Sequence, residues 1–99
     1  MINLFTPNMT NPSEELFDTL LQTNSLHIKK ITSNGQISSK WYESEKDEWV
    51  VLIKGEGKLL FEDKIEVHLK TGEHIFIPKM KKHKVIYTAT PTIWLAIYF

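Results

Sequence analysis

Residues 48–57 read EWVVLIKGEG, an apolar run that begins with a carboxylate and closes in a turn containing two glycines. Such a run, rich in β-branched residues and bounded by turn residues, predicts a buried β-strand. Glu48 stands at the entry of this strand. A buried carboxylate must be paired, hydrogen-bonded, protonated or bound to a metal, because an uncompensated buried charge is too costly. Glu48 is therefore the first residue to consider for a function.

From Ser25 onward the sequence has a period of two residues, and turn residues recur every eight to twelve positions. This pattern is typical of many short antiparallel strands and predicts an all-β sandwich or barrel. Residues 1–10 alternate apolar and polar side chains only loosely, around Leu4, Phe5 and Pro7, so they could form an extended arm or an added edge strand. The predicted strands lie near residues 26–32, 36–43, 48–54, 58–62, 65–69, 74–77, 83–88 and 92–98.

The N-terminal part of the chain has the signature of a helix start. Asn11 can cap a helix, Pro12 suits its first turn, and Glu14 lies three residues after the cap. A short amphipathic α-helix on the outer face of the domain is predicted, fading by residues 23–24. The apolar side chains that repeat at helical spacing are Leu16, Phe17, Leu20 and Leu21.

A chain of 99 residues and 11.6 kDa fits one domain. We expect residues 1–24 to form an arm and helix packed on a barrel of residues 25–99.

Twelve basic and twelve acidic residues cancel, which argues against nucleic acid or an anionic membrane as partner. The absence of cysteine excludes disulfides and thiolate sites. No stretch is apolar enough to span a membrane, so we expect a soluble, cytoplasmic protein.

Two spaced motifs lie between residues 35 and 87. The first places Gly35, Trp41, Glu43, Glu48 and Gly55, and the second places Gly72, Pro78, Met80, His83 and Tyr87. Their spacing resembles that of the two motifs of the cupins. Every glycine-to-glycine and glycine-to-histidine distance fits that family's pattern without a gap. The resemblance implies a small single-domain cupin of type 2, a double-stranded β-helix or jelly-roll barrel.

In metal-binding cupins, two histidines and the glutamate of the first motif hold the ion together with the histidine of the second. This chain keeps Glu48 and His83 but carries Trp41 and Glu43 at the two histidine positions. The resemblance therefore supports the fold far more than it supports a metal. If the strand faces that carry them converge inside the barrel, Glu43, Glu48 and His83 could hold a divalent metal ion. Such a ligand set is harder than three histidines and favours manganese, iron or magnesium over copper, with zinc a further candidate. Glu43 fits equally well as a solvated carboxylate in an acidic stretch.

Without an ion, the same residues could act as acid and base. Glu43 and Glu48 at close range could not both ionise cheaply, so the pKa of one would rise toward neutrality. His83 could take the complementary role, and Tyr87 or Tyr98 could donate to a developing oxyanion. The predicted catalytic residues are Glu48, His83 and Tyr87, and the predicted pocket walls are Trp41, Tyr87 and Tyr98.

The run KMKKHK at residues 79–84 surrounds His83 with four lysines. Such a run is usually a solvated loop. At the mouth of a barrel it would steer a small anion inward and lower the pKa of the histidine. Met80 stands where the family has glycine, so we expect the turn before His83 to avoid positive φ.

Two functions fit these residues. The first is a cupin that binds a divalent metal, a small molecule or both inside the barrel, with oxygenase, isomerase or lyase chemistry. The second is a metal-free cupin that binds or senses a small molecule without catalysis. The sequence leaves open whether the protein is an enzyme. A homodimer is expected, as for many small single-domain cupins.

Overall fold

The computed structural model describes residues 3–8 and 13–99. No helix in these ranges has the length and apolarity needed to cross a membrane. The described chain forms eight β-strands and no α-helix, which confirms the all-β prediction. The strands are β1 (Leu16–Gln22), β2 (His27–Ser33), β3 (Glu48–Lys54), β4 (Glu56–Phe61), β5 (Glu66–Lys70), β6 (His74–Ile77), β7 (His83–Thr88) and β8 (Thr92–Tyr98).

The strands form two antiparallel sheets. One sheet has five strands in the order β1-β2-β8-β3-β6, and the other has three in the order β5-β4-β7. Alternation along each strand sends every second side chain between the sheets, where the apolar ones form one core. The buried residues of this core are Val50, Leu52, Leu59, Phe61, Leu69, Ile77 and Trp94.

The predicted N-terminal helix is wrong, because its apolar residues form strand β1. This strand pairs with β2 from Leu16 opposite Thr32 to Gln22 opposite His27. A register shift near Thr19 interrupts the ladder and breaks the strict alternation of side chains, which leaves apolar residues at helix-like spacing. The hydrogen bonds supplied by β2 outweigh the local helical preference. The predicted cap residues, 11 and 12, lie outside the described residues.

The predicted strand at residues 36–43 is also wrong, since this segment is irregular and runs beside β7. Backbone hydrogen bonds attach it to β7 at two points. The Ser38 amide donates to the Val85 carbonyl at 2.8 Å, and Tyr42 and His83 exchange backbone hydrogen bonds of 2.8 and 2.9 Å. The attachment points are four residues apart, whereas a regular ladder bonds every second residue. This irregular path decides which of its side chains face the barrel.

Met80 has a φ of 66°, so the prediction that its turn avoids positive φ is wrong. Its amide donates to the Ser44 carbonyl at 2.7 Å, and the Lys81 amide donates to the Pro78 carbonyl at 3.2 Å. The bond between Lys81 and Pro78 closes the turn, and the bond between Met80 and Ser44 attaches the turn to the segment before β3. The Met80 side chain is 55% exposed, so the left-handed backbone creates no clash in the core.

Strand β2 separates two neighbouring lysines onto opposite faces of its sheet. Lys29 and Ile31 face the space between the sheets. Lys30 faces outward and is buried beneath the N-terminal arm, where its ammonium donates to the carbonyls of Asn3 at 3.2 Å and Thr6 at 2.5 Å. The outward lysine is thus satisfied by the arm, whereas the inward one points to the site described next.

Candidate functional site

A cavity of about 260 Å³ lies between the two sheets. Core side chains such as Val50, Ile77 and Trp94 form its apolar walls. A small, largely apolar cavity with a few convergent polar groups is the usual form of a ligand site. The ionisable residues that line it are Glu15, Lys29, Tyr42, Glu48, His83, Lys84 and Tyr98.

Glu48 opens strand β3 and turns into this cavity, with an exposed fraction of only 5%. Tyr98 is its direct neighbour across the strand pair, and the Tyr98 hydroxyl donates to the Glu48 carboxylate. Oε1 of Glu48 has no hydrogen-bond partner among the described residues. Burial raises the pKa of Glu48 from 4.5 to about 7, although the Tyr98 hydrogen bond and the charge of Lys29 act in the opposite direction. Glu48 can therefore hold a proton near neutral pH.

His83 opens strand β7 on the opposite sheet and is 6% exposed. Its Nδ1 lies 2.9 Å from the Lys81 carbonyl, which can only accept, so we assign the ring proton to Nδ1. Nε2 then carries a lone pair and lies 3.9 Å from Glu48 Oε1. Burial lowers the pKa of His83, and the hydrogen bond to Lys81 opposes this shift. At neutral pH the histidine is therefore a neutral base beside a carboxyl group that can carry a proton.

Two tyrosines connect these groups. The Tyr42 ring stands edge-on to the His83 ring, with centroids 5.5 Å apart and planes at 84°. The Tyr42 hydroxyl is hydrogen-bonded to Tyr98, which in turn donates to Glu48. Burial and the neighbouring Glu48 charge raise the pKa of Tyr98, so this phenol remains a donor at neutral pH. The network fixes the orientation of Glu48.

The structure brings Glu48, His83 and Tyr98 together but places Trp41, Glu43 and Tyr87 elsewhere. All three are exposed and none lines the cavity. Trp41 and Glu43 face away because the irregular segment turns Tyr42 inward instead. Tyr87 faces away because the β4–β7 register shifts between Val85 and Tyr87 and leaves one extra residue in β7. Such a bulge re-aims the following side chain.

The fit of a divalent metal can be tested on these donors. Across residues 3–8 and 13–99, no three histidine, aspartate or glutamate side chains are placed to hold an ion. Glu48 and His83 supply two donors, whereas catalytic metal sites commonly have three protein ligands. Glu43, the third predicted ligand, is exposed outside the cavity. The residues present do not form a complete metal centre.

Sequence reasoning missed Tyr42 and Lys29 as site residues. The signal for Lys29 was present, because a strand that alternates places it on the same face as the apolar Ile31. No comparable signal marked Tyr42. Its inward orientation depends on the backbone bridge to His83, which joins two distant segments of the chain.

Comparison with known proteins identifies the family. The Cupin domain family model matches residues 31–98. No curated protein matches the chain. The crystal structure of a "putative mannose-6-phosphate isomerase" from Ralstonia eutropha JMP134 is 34% identical, with a TM-score of 0.91 over 99% of this chain and 95% of that one.

Two further crystal structures share the fold. One is a cupin superfamily protein from Desulfitobacterium hafniense, with 20% identity and a TM-score of 0.77 over 87% of this chain and 77% of that one. The other is an RmlC-like cupin with a double-stranded β-helix from Methanocaldococcus jannaschii, with 20% identity and a TM-score of 0.74 over 90% and 83%. The cupin barrel expected from the motif spacing is thereby confirmed. The family model and the 34% identical relative together show that the chain belongs to the cupin family.

Proposed function

We propose that this cupin binds a small polar organic molecule inside the barrel, and that Glu48 and His83 transfer a proton on it. One observation carries the proposal. Glu48 Oε1 and His83 Nε2 are both buried, face each other at 3.9 Å and border the same cavity. A carboxyl group and a neutral imidazole side by side are an acid and a base, each able to reach one atom of a bound ligand.

The pair suits proton transfer next to a carbonyl group. Nε2 of His83 takes the proton from the carbon beside the carbonyl, while protonated Glu48 gives its proton to the carbonyl oxygen. The product is an enol. His83 has gained a proton and Glu48 has lost one. If the deprotonated carbon carries a hydroxyl group, His83 returns its proton to the former carbonyl carbon while the Glu48 carboxylate takes the hydroxyl proton, which completes an isomerisation. If the next carbon carries a leaving group, Glu48 takes back the enol proton as the carbonyl re-forms, and the leaving group departs with the proton from His83, which completes a lyase reaction. General acid and base catalysis of this kind contributes roughly 10²–10⁴-fold in rate.

The relatives support the reaction class only in outline. The 34% identical protein is named a "putative mannose-6-phosphate isomerase". An isomerase can interconvert carbonyl and hydroxyl groups by the proton movements described above. The name supports isomerisation as the first reaction to test in this chain.

We expect the protein to catalyse exchange of carbon-bound protons in D₂O. The probes are dihydroxyacetone, glyceraldehyde, pyruvate and hydroxypyruvate, followed by proton NMR in the presence of EDTA. Glu48→Gln cannot donate a proton to the carbonyl oxygen, and His83→Gln lacks the base. Each substitution is therefore expected to lower the exchange rate by about 10²-fold or more. His68→Gln, at an exposed histidine outside the cavity, is the matched control and should retain the native rate.

Exchange that is absent with all four probes, or equal in the native and Glu48→Gln proteins, would contradict the acid and base roles. A metal-free cupin that binds a ligand without catalysis would show binding to a probe but no exchange. Exchange that appears only after Mn²⁺, Fe²⁺ or Zn²⁺ is added would favour the divalent-metal alternative. That alternative has Glu48 and His83 as its ligands, and the incomplete donor set makes it the weaker one.

We further propose that two copies associate through the outer face of the five-stranded sheet. Strand β6 is an edge of this sheet, and the Phe76 and Phe99 rings lie 6.3 Å apart there. Trp49, Phe76 and Phe99 are 38%, 52% and 51% exposed. Three exposed aromatic side chains at one edge are typical of an interaction surface. A second copy offers the same surface about a two-fold axis.

We expect light scattering after size exclusion to give a dimer mass for the native protein. Phe76→Ser should shift it to the monomer, because the substitution removes an aromatic group from the centre of this surface. Ile65→Ser changes an equally exposed apolar residue in the turn between β4 and β5 and should leave the dimer intact. A native monomer, or a dimer unaffected by Phe76→Ser, would contradict this interface.

A further inference from the structure

Resting on the proposed function, we infer that the ligand is a small organic acid with one carboxylate, bound by Lys29 and attracted by Lys84. The cavity contains two lysine side chains from opposite sheets, Lys29 on β2 and Lys84 on β7. Neither takes part in the proposed proton transfer. Their positions in the cavity indicate the class of molecule on which Glu48 and His83 act.

Lys29 is a cation inside the barrel without a carboxylate partner. Its ammonium lies 5.1 Å from the centre of the Tyr98 ring. Among the described residues it forms no ion pair, whereas the outward Lys30 is satisfied by two carbonyls. An apolar residue would also fit this inward-facing position. Ile31, two residues further along the same face of β2, is an example. Its charge also acts on Glu48, so it lies near the reacting pair.

Lys84 occupies the rim of the same cavity. Its ammonium lies 4.5 Å from the centre of the exposed Trp41 ring, and it too lacks an ion pair in the described chain. Positive charge at the mouth of a cleft raises the local concentration of anions. Trp41 does not itself line the cavity, but its ring contacts the ammonium of Lys84, which does.

The net charge of the side chains that line the cavity can be neutralised by one negative group on a ligand. Lys29 and Lys84 are opposed by Glu15, whose carboxylate accepts from the Ser33 hydroxyl. Glu48 adds no negative charge when it holds the proton that the proposed reaction requires. Two cations and one anion leave one positive charge, which a single carboxylate neutralises.

A carboxylate fits this lining better than a phosphate ester. All twelve basic side chains of the protein are lysines, so no guanidinium fork is available to bind a phosphate in two places. A phosphate ester carries nearly two negative charges, which exceeds the one positive charge left in the lining. A cavity of about 260 Å³ also limits the ligand to a small metabolite.

Ligand-observed NMR with matched acids and amides tests this inference. The probes are lactate, glycerate and pyruvate, each compared with its primary amide, which has the same size but no charge. We expect the acids to bind about tenfold more tightly than the amides, equivalent to one favourable charge contact. Lys29→Gln should remove this preference while amide binding stays unchanged, and Lys29→Arg should retain it. Lys84→Gln should weaken acid binding by a smaller factor.

Lys70→Gln is the matched control, because Lys70 is exposed on β5 and does not line the cavity. Equal binding of acids and amides would overturn the inference, as would a Lys29→Gln protein that loses both classes equally. If neutral probes still show exchange that depends on Glu48, the proposed function survives and only the acid class fails. Preferential binding of acids without any exchange would support the acid class and contradict proton transfer. No binding of any probe would overturn both.

Discussion

Glu48→Gln is expected to make the protein more stable than the native form near pH 8, by up to about 3 kcal/mol, and equally stable near pH 4.5. Burial raises the pKa of Glu48 from 4.5 to about 7. A raised pKa means that the folded state favours the protonated carboxyl group. The stability this group contributes is therefore complete below pH 4.5, is lost as the pH rises through the folded-state pKa, and is absent above it. Glutamine keeps the shape and never ionises.

The measurement is urea unfolding of both proteins at several pH values between 4.5 and 8. His83 faces Glu48 and has a lowered pKa, so its own contribution to stability is present at neutral pH and lost as the pH falls. Both proteins contain Lys29, Tyr98 and His83. The difference between their free energies of unfolding at each pH therefore measures the contribution of Glu48. Curves that run parallel over the whole range would contradict a perturbed carboxyl group.

Gly55→Ala is expected to lower the free energy of unfolding by about 3–5 kcal/mol, against about 1–2 kcal/mol for Gly72→Ala. Gly55 has a φ of 98°, and an added Cβ would lie 2.6 Å from the Pro91 carbonyl oxygen and 2.9 Å from the Thr92 Cα. Neither backbone atom can move cheaply. Gly72 has a φ of 86°, but an added Cβ there would meet nothing within 4 Å.

Gly72→Ala is thus a control that carries the same backbone strain without the clash. Urea unfolding of the two variants separates the two costs. The close approach at Gly55 packs the turn between β3 and β4 against the start of β8, the strand that carries Tyr98 to Glu48. Equal losses of stability for the two variants would show that this approach is not tight.

The strands from residue 48 onward could be predicted from sequence because turn residues bound each one. The prediction failed where pairing partners, rather than the local pattern, decide the structure. Strand β1 depends on β2, and a register shift gives it helix-like spacing. The segment at 36–43 is shaped by separate attachments to β7. Neither partner is visible in the local sequence.

The same distinction between local pattern and pairing partners applies to the site residues. A carboxylate at the start of a buried strand pointed to Glu48, and the motif spacing pointed to His83. Tyr87 was assigned to the same face as His83 on the assumption of an unbroken strand, and the register shift in β7 turned it outward. Lys29 could have been recognised from its alternation with Ile31. Tyr42 could not, because only the folded chain brings it to His83.

The central claim is that Glu48 and His83 form a proton-carrying acid and base pair inside the barrel. The most direct test is an NMR titration that follows the Glu48 carboxyl carbon and the His83 ring nitrogens in the same sample. We predict a Glu48 midpoint near pH 7 and a His83 ring that stays neutral, with its proton on Nδ1, to below its ordinary pKa. A Glu48 midpoint near 4.5, with His83 titrating at 6.5 or above, would contradict the claim.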